Sequence, residues 1–356
     1  MEQIEVAVVG TGWCGGIRAE TCATHPLVKA LHIVETRPER LKEVAALTRP
    51  KSASEDYKSL LANEALSTVF VCATPETSHF PIARDFLRAG KHVFLEKPIA
   101  LLLDEADELI ALAKANNVKF TIGYSQRFNP KYAYVKQCID NGTIGTPVSV
   151  LVSRHITRGL GAKISGRIKL SPAAMESTHD LDFVLWCLAP AKPVRVYSQV
   201  NYGAMRAASG NDVPDLQWCM VTMDSGLTFV VGGGWSLPPG YPNFSSTWIE
   251  LVGTEGAVMV DDTHRDVVLN TMSKGMVLPM STMPGEFVGG HTYAGPMSNE
   301  TKHFIEATAL DQPVIVTAEE ARQVMELYIA ADLSAETGEP VTLPLGNKIP
   351  ALAASA

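Results

Sequence analysis

The 356-residue chain has no apolar run approaching the roughly 18 to 20 residues that cross a bilayer, so no membrane-spanning helix is expected. It also lacks any cluster of Lys or Arg. Its net charge of -8 is spread along the sequence, which leaves no basic stripe for nucleic acid or an anionic membrane surface. The six cysteines are scattered, with no C-x-x-C pair and no His-x-x-x-His partner, which argues against a zinc site or a disulfide framework and for small, reduced, mostly buried residues. Internal repeats and low-complexity segments are missing too. The opening Met1-Glu2-Gln3-Ile4-Glu5 is acidic where a secretory signal is basic, so the expected location is cytoplasmic. With 46% apolar and 19% charged residues, the composition is that of a well-packed globular protein rather than a disordered one. At roughly 150 residues per domain, the length suggests two domains.

Residues 4–9, 30–34, 68–73, 92–95 and 118–122 are short apolar runs separated by helical periods at 38–46, 78–89 and 104–115. Continuous apolar strands alternating with helices are buried on both faces, which predicts a parallel sheet covered by helices. After Gly142 and Gly145-Thr146-Pro147 the rhythm changes to strands in succession, at 148–153, 194–200, 216–223, 227–232, 248–252 and 257–260. That order predicts a largely antiparallel sheet. A hairpin turn is expected at Thr254-Glu255-Gly256, and helices at 173–188, 298–310 and 318–334. The expected class is α/β.

Gly10-Thr11-Gly12-Trp13-Cys14-Gly15 lies between the first strand and the first helix, the context in which G-x-G-x-x-G marks a dinucleotide site. The first glycine permits a tight turn, the second admits a pyrophosphate, and the third allows close helix–strand packing. Trp13 and Cys14 are then cofactor neighbours; the alternative is a plain glycine-rich turn. Glu35 ends the second strand about 20 residues on, where a carboxylate accepts hydrogen bonds from the adenosine ribose and repels a 2'-phosphate. NAD is therefore expected over NADP, with Arg37 as the counter-signal and an ordinary acidic strand end as the other reading. Ala73, Thr74 and Pro75 follow the third buried strand and would line the cofactor mainly through backbone. His79 either reaches the nicotinamide ribose or caps and packs. The next strand ends in Glu96-Lys97-Pro98, and partial burial beside a cationic nicotinamide would lower the lysine pKa into a useful range. From the residues alone, a structural lysine is the competing reading.

Together, Gly10-Thr11-Gly12, Thr74-Pro75 with His79, Glu96-Lys97-Pro98, the segment 123–130 with Arg127-Phe128, and His179 to Asp182 resemble the glucose-fructose oxidoreductase, inositol dehydrogenase and MocA (Gfo/Idh/MocA) family. Glu300 and Phe304 on a late helix, then Gly338-Glu339-Pro340-Val341, continue the likeness over nearly the whole chain. The resemblance implies an N-terminal Rossmann domain (1–124). It also implies a C-terminal α/β domain with an open, mainly antiparallel sheet (125–356) that binds substrate and forms homodimers or homotetramers. Lys97 would touch the nicotinamide ribose and the reacting hydroxyl, His179 would accept the proton, Asp182 would support it, and Arg127 would lie near the cofactor.

One departure matters. Inositol dehydrogenase-like members carry an aspartate four residues before the histidine, where this chain has Met175 with Glu176 beside it. On an α-helix Met175 shares the His179 face but has no proton chemistry; Glu176 is the candidate to replace that carboxylate at the substrate, although it points about 100° away. Arg154, His155 and His291 with Tyr293 are further polar candidates for a hydroxylated substrate; solvated surface groups are the alternative. The implied activity is NAD-dependent, reversible oxidation of a secondary hydroxyl on a sugar, polyol, inositol or sugar acid, with Lys97 and His179 handling the proton. Two other functions fit the same features: a non-catalytic dinucleotide-binding regulator, and a glycosidase working by transient oxidation and elimination.

Overall fold

The structure is a computed structural model that describes residues 3–242, 245–261, 269–271, 273, 275–277, 286–288 and 292–346. It divides into two compact units, 1–129 with 282–322, and 130–281 with 323–356. The unit built on the parallel sheet thus takes in a late segment that lies beyond the expected division at 124.

In the first unit, strands β1 (Ile4–Val9), β2 (Val28–Val34), β3 (Ser52–Ser54), β4 (Leu66–Val71), β5 (His92–Leu95) and β6 (Phe120–Ile122) form one sheet. Their order is β3-β2-β1-β4-β5-β6, all parallel. Chain direction along the sheet reverses between β1 and β4, and ligands of such sheets bind outside the carboxyl ends at that crevice. Helices α1 (Trp13–Thr24), α2 (Pro38–Thr48), α3 (His79–Arg88) and α4 (Leu103–Ala115) connect the strands. Val6, Ala7 and Val8 are fully buried, as the unbroken apolar run of β1 demands. β3 was not foreseen: Ser52, Ala53 and Ser54 carry no apolar pattern, and they pair along the edge of β2, where the Ser52 hydroxyl meets His32 Nδ1 at 2.7 Å.

The helix Pro296–Ala309, more than two hundred residues downstream of the glycine loop, also belongs to this unit. Phe304 sits with Phe70 and Phe94 at ring separations of 5.4 to 5.8 Å, filling the core under β4 and β5.

In the second unit the expected strands appear as β7 (Pro147–Thr157), β8 (Pro193–Asn201), β9 (Leu216–Met223), β10 (Thr228–Leu237), β11 (Ser245–Gly253) and β12 (Ala257–Asp261). The sheet order is β12-β11-β7-β10-β9-β8, with the short strand Val341–Thr342 at the far edge. Only the β7–β10 pair is parallel, so the sheet is mixed and mainly antiparallel. The turn at residues 254–256 closes as expected, Gly253 N–H donating to Gly256 O at 2.8 Å. Side chains alternate. Val150, Val152, Arg154 and Ile156 of β7 are buried, while Leu151, Ser153 and His155 lie on the other face with Trp248, Met220, Tyr197 and Met259.

Among the helices of this unit, α5 (Pro130–Asp140), α6 (Arg158–Ser165) and α8 (Ala204–Ser209) escaped the sequence reading. In α5, Tyr132, Val135 and Cys138 recur at helical spacing but are diluted by Lys131, Lys136 and Gln137. The helix expected at 173–188 is two pieces: a π-helical turn, Ala173–Ser177, followed by α7 (Thr178–Leu188). Such wide turns appear mostly at functional sites, and they change which side chains share a face.

Arg154 is the buried charge of this unit. Its Nε donates to Asp180 at 2.6 Å and its Nη2 to the Tyr132 hydroxyl at 3.3 Å, tying β7 to α7 and α5. Burial pulls the guanidinium pKa down, but Asp180 and Tyr132 outweigh that and raise it. Removing one partner strands the other charge. Arg154→Met should therefore cost about 3 to 5 kcal/mol in urea unfolding, and adding Asp180→Leu should recover much of it. A cost equal in the single and double variants would show that the pair is not what holds these elements.

Candidate active site

The glycine loop is shaped by contacts that exclude side chains at two of its three glycines. Gly10 has φ +82° and a Cβ there would lie 2.6 Å from Cys72 O, so the turn needs glycine. At Gly15 a Cβ would lie 1.8 Å from Gly10 O. Gly12 differs: the nearest atom to a Cβ there is Arg37 Nη2 at 4.0 Å, so open space faces the loop. No side chain caps α1, and its first turn has no acidic residue. The loop and the helix N-terminus therefore fit a pyrophosphate, whose charge the exposed amides and the helix dipole favour. Trp13, 57% exposed, opens α1 beside this space. Cys14 follows, its thiol pushed up to about 12, chiefly by burial and then by the Glu96 charge, against the opposing pull of Arg18 and Lys97.

Arg40, unremarked in the sequence, holds the loop from α2, with Nε donating to Thr11 O at 2.7 Å and Nη2 to Gly12 O at 3.3 Å. Glu35, just past β2, bonds to the loop. It accepts from Thr11 N–H at 3.0 Å and from Arg37 N–H at 3.1 Å and Arg37 Nε at 3.0 Å. Burial alone would raise its pKa, but the hydrogen bonds from Arg37 and Thr11 hold it at about 2. It is therefore an anion wherever the protein is folded at ordinary pH, as a ribose acceptor must be. Arg37, the expected counter-signal, is engaged on Glu35 instead.

At the ends of β4 and β5 stand the other cofactor candidates. Thr74 and Pro75 are exposed, Ala73 half-buried, and Glu96 and Lys97 half-buried. Lys97 directly follows Glu96, which is bonded to the helix that the glycine loop opens. Arg18 of α1, only 1% exposed, donates to Glu96 at 2.8 Å, to Glu300 at 2.8 Å and to the Thr301 hydroxyl at 3.0 Å, with its guanidinium 3.9 Å from the Phe94 ring centre. Gly123 is needed here, because a Cβ would meet Glu96 Oε2 at 2.8 Å. The sequence signal for Arg18 was a charge on the otherwise apolar inner face of α1, beside Ile17, Ala19 and Cys22. Arg127 is buried, and its Nη1 donates to Ile315 O at 3.0 Å and to Glu320 at 3.1 Å, an anchor for the start of the helix Ala318–Thr337. His79 is 2% exposed, with both ring nitrogens against backbone carbonyls, which leaves packing rather than ribose contact.

In the second unit His179 is half-buried in the first turn of α7, with Asp180 and Asp182 fully buried beside it. Met175 packs in an apolar cluster with Ile156, Met205 and Trp235. Glu176 accepts from Trp235 Nε1 at 2.8 Å. Arg154 and His155 leave β7 on opposite faces, so they cannot meet one substrate together; Arg154 is the ion-paired anchor already described, and the His155 ring lies 3.0 Å from both Ser153 and Ser236 hydroxyls. His291 lies outside the described residues, as does the side chain of Tyr293.

A parallel sheet in this order, with a glycine loop at its reversal point and an anionic strand end, has the form of a dinucleotide-binding domain. The chain matches the family model described as "Oxidoreductase family, NAD-binding Rossmann fold" over residues 4–124, and the "GFO/IDH/MocA C-terminal domain" over 132–259. It belongs to the Gfo/Idh/MocA family, NAD-dependent dehydrogenases acting on CH–OH groups. It is 28% identical over 345 residues to scyllo-inositol 2-dehydrogenase (NAD(+)) of Bacillus subtilis, covering 96% of each chain. With myo-inositol 2-dehydrogenase of Thermotoga maritima it shares 25% over 344 residues, 96% of this chain and 98% of that one. The crystal structure of scyllo-inositol dehydrogenase from Lactobacillus casei, with bound NAD(H) and scyllo-inositol, has the same fold, at TM-score 0.81, 20% identity and coverage of 96% and 99%. Among the described residues no helix is long and apolar enough to cross a membrane.

Because Glu35 and Arg37 are bonded to each other, Glu35→Ser should weaken NAD binding and release Arg37 toward a 2'-phosphate. The ratio of NADP to NAD affinity, read by fluorescence titration, should rise about tenfold or more, the scale of one charge-assisted hydrogen bond. In the parent protein NAD affinity should stay level from neutral pH down through the ordinary carboxylate range, since Glu35 gains its proton only near 2. An unchanged cofactor ratio would place the ribose contact elsewhere.

Proposed function

We propose that the chain reversibly oxidises a secondary hydroxyl of a cyclic polyol, sugar or sugar acid, with Lys97 and His179 handling the hydroxyl proton. The observation that carries this reading is the position of Lys97 just past the carboxyl end of β5, next to Glu96, which Arg18 of the helix after the glycine loop holds at 2.8 Å. The names of the relatives favour inositols as the substrate class. NAD, when bound, supplies the hydride acceptor. The chain supplies the rest: the loop at Gly10 and Gly12 and the N-terminus of α1 hold the pyrophosphate, Glu35 accepts from the ribose, and Ala73, Thr74 and Pro75 present backbone to the cofactor. Lys97 hydrogen-bonds the substrate hydroxyl and His179 accepts its proton. General base chemistry of this kind contributes about 10²- to 10⁴-fold. Glu176, oriented by the Trp235 Nε1 bond, is the carboxylate available to the substrate where Met175 has none.

The test is appearance of NADH with NAD and a panel of inositols, aldoses, linear polyols and sugar acids. Turnover is expected on at least one ring polyol or sugar. Lys97→Met should then lose about 10³-fold or more in kcat, with NADH affinity nearly unchanged. Aglycone release from glycosides with no net NADH would replace this reading by the redox glycosidase.

The second unit is proposed to bind the substrate and to assemble the protein. Across its outer sheet face the registers align Met259, Glu250, Leu151, Val230, Met220 and Tyr197 in one row, with Met259 59% and Met220 50% exposed. A self-paired apolar sheet face of this kind suits a second copy. Light scattering should show a dimer or tetramer, and Met220→Asp with Leu151→Asp should shift it toward monomer. A parent protein that is monomeric at micromolar concentration would overturn the assembly.

A further inference from the structure

We infer that His79 is a positioning residue that holds Lys97 at the end of β5, acting through the carbonyl of Pro98. The inference rests on the proposed role of Lys97. His79 opens α3 and is 2% exposed. Its Nδ1 lies 2.8 Å from Pro98 O and its Nε2 3.1 Å from Ala73 O. Ala73 lies in the loop after β4, and Pro98 directly follows Lys97, so one ring spans the two turns that end adjacent strands.

Carbonyl oxygens only accept, and a neutral imidazole has one N–H, so only one of these contacts is a hydrogen bond in the neutral ring. We assign the proton to Nδ1 on the shorter distance. Burial favours the neutral ring, against the pull of the Pro98 carbonyl, of the carboxylates Glu76 and Glu96, and of the Ala73 carbonyl. No N–H then remains for a ribose hydroxyl. The Pro98 carbonyl is the acceptor one residue beyond Lys97, so losing this bond frees the turn that carries the lysine. A misplacement of about 1 Å at a reacting group costs on the order of 10²-fold in rate.

The two side-chain amides separate the contacts, because the Asn amide nitrogen occupies the place of Nδ1 and that of Gln the place of Nε2. His79→Asn should keep kcat within about threefold, whereas His79→Gln and His79→Ala should lose about 10- to 100-fold in kcat with little change in the KM for NAD. The same variants are read without turnover by acylating the protein with an amine-reactive ester and following Lys97 by peptide mass spectrometry. Lys97 should be modified at the parent rate in the Asn variant and several-fold faster in the Gln and Ala variants. This second readout stands even if no polyol is oxidised, so failure of the functional reading is not mistaken for failure of this one. Gln matching the parent while Asn fails would overturn the inference, as would loss of NAD affinity in all three variants at unchanged kcat and unchanged Lys97 acylation.

Discussion

A single buried guanidinium organises the first unit. Arg18 binds Glu96 at the end of β5, Glu300 and Thr301 on the helix Pro296–Ala309, and lies against the Phe94 ring. Taking three charges out of water is costly, and a network of this kind contributes little net stability compared with apolar residues of the same volume. What it contributes is geometry. Fixed hydrogen-bond directions tie the helix of the glycine loop to the strand end that carries Lys97.

The same logic runs outward from that network. Glu96 is boxed in by Arg18 and by Gly123, whose missing Cβ leaves it room. Arg40 fixes the loop carbonyls, and Thr11 and Arg37 hold Glu35 in place. Each charged group near the loop is thus held by a partner of its own chain, while the space at Gly12 stays open. In the second unit Arg154 has the corresponding place, pinning α7 and its His179 to β7 through Asp180.

Much of this was legible in the sequence. Strands such as β1 and β4 are unbroken apolar runs because both their faces are covered, and the glycine loop is legible because backbone approach leaves no alternative residue at Gly10. Elements without a burial signature were not legible: β3 is held by edge pairing and one serine–histidine bond, and the π turn at Ala173–Ser177 has no periodicity that distinguishes it from the α-helix it precedes. The candidate polar residues fared by the same rule. Glu35 and Lys97 lie at the strand ends where the sequence put them, while Arg127, Arg154 and His79 are buried with partners elsewhere in the chain that the sequence does not announce.

By itself, then, the sequence determined the two-sheet α/β architecture, the preference for NAD and the family, because these follow from local pattern: apolar period, glycine spacing, one carboxylate. Only the tertiary structure decided that Glu300 and Phe304 complete the first unit, that Arg154 and His155 face opposite sides of one strand, and that His79 lies between two backbone carbonyls. The physical reason is that a charged or polar side chain does not announce its partner. Its role depends on which acceptor the folded chain brings within about 3 Å, and those acceptors come from elsewhere in the sequence.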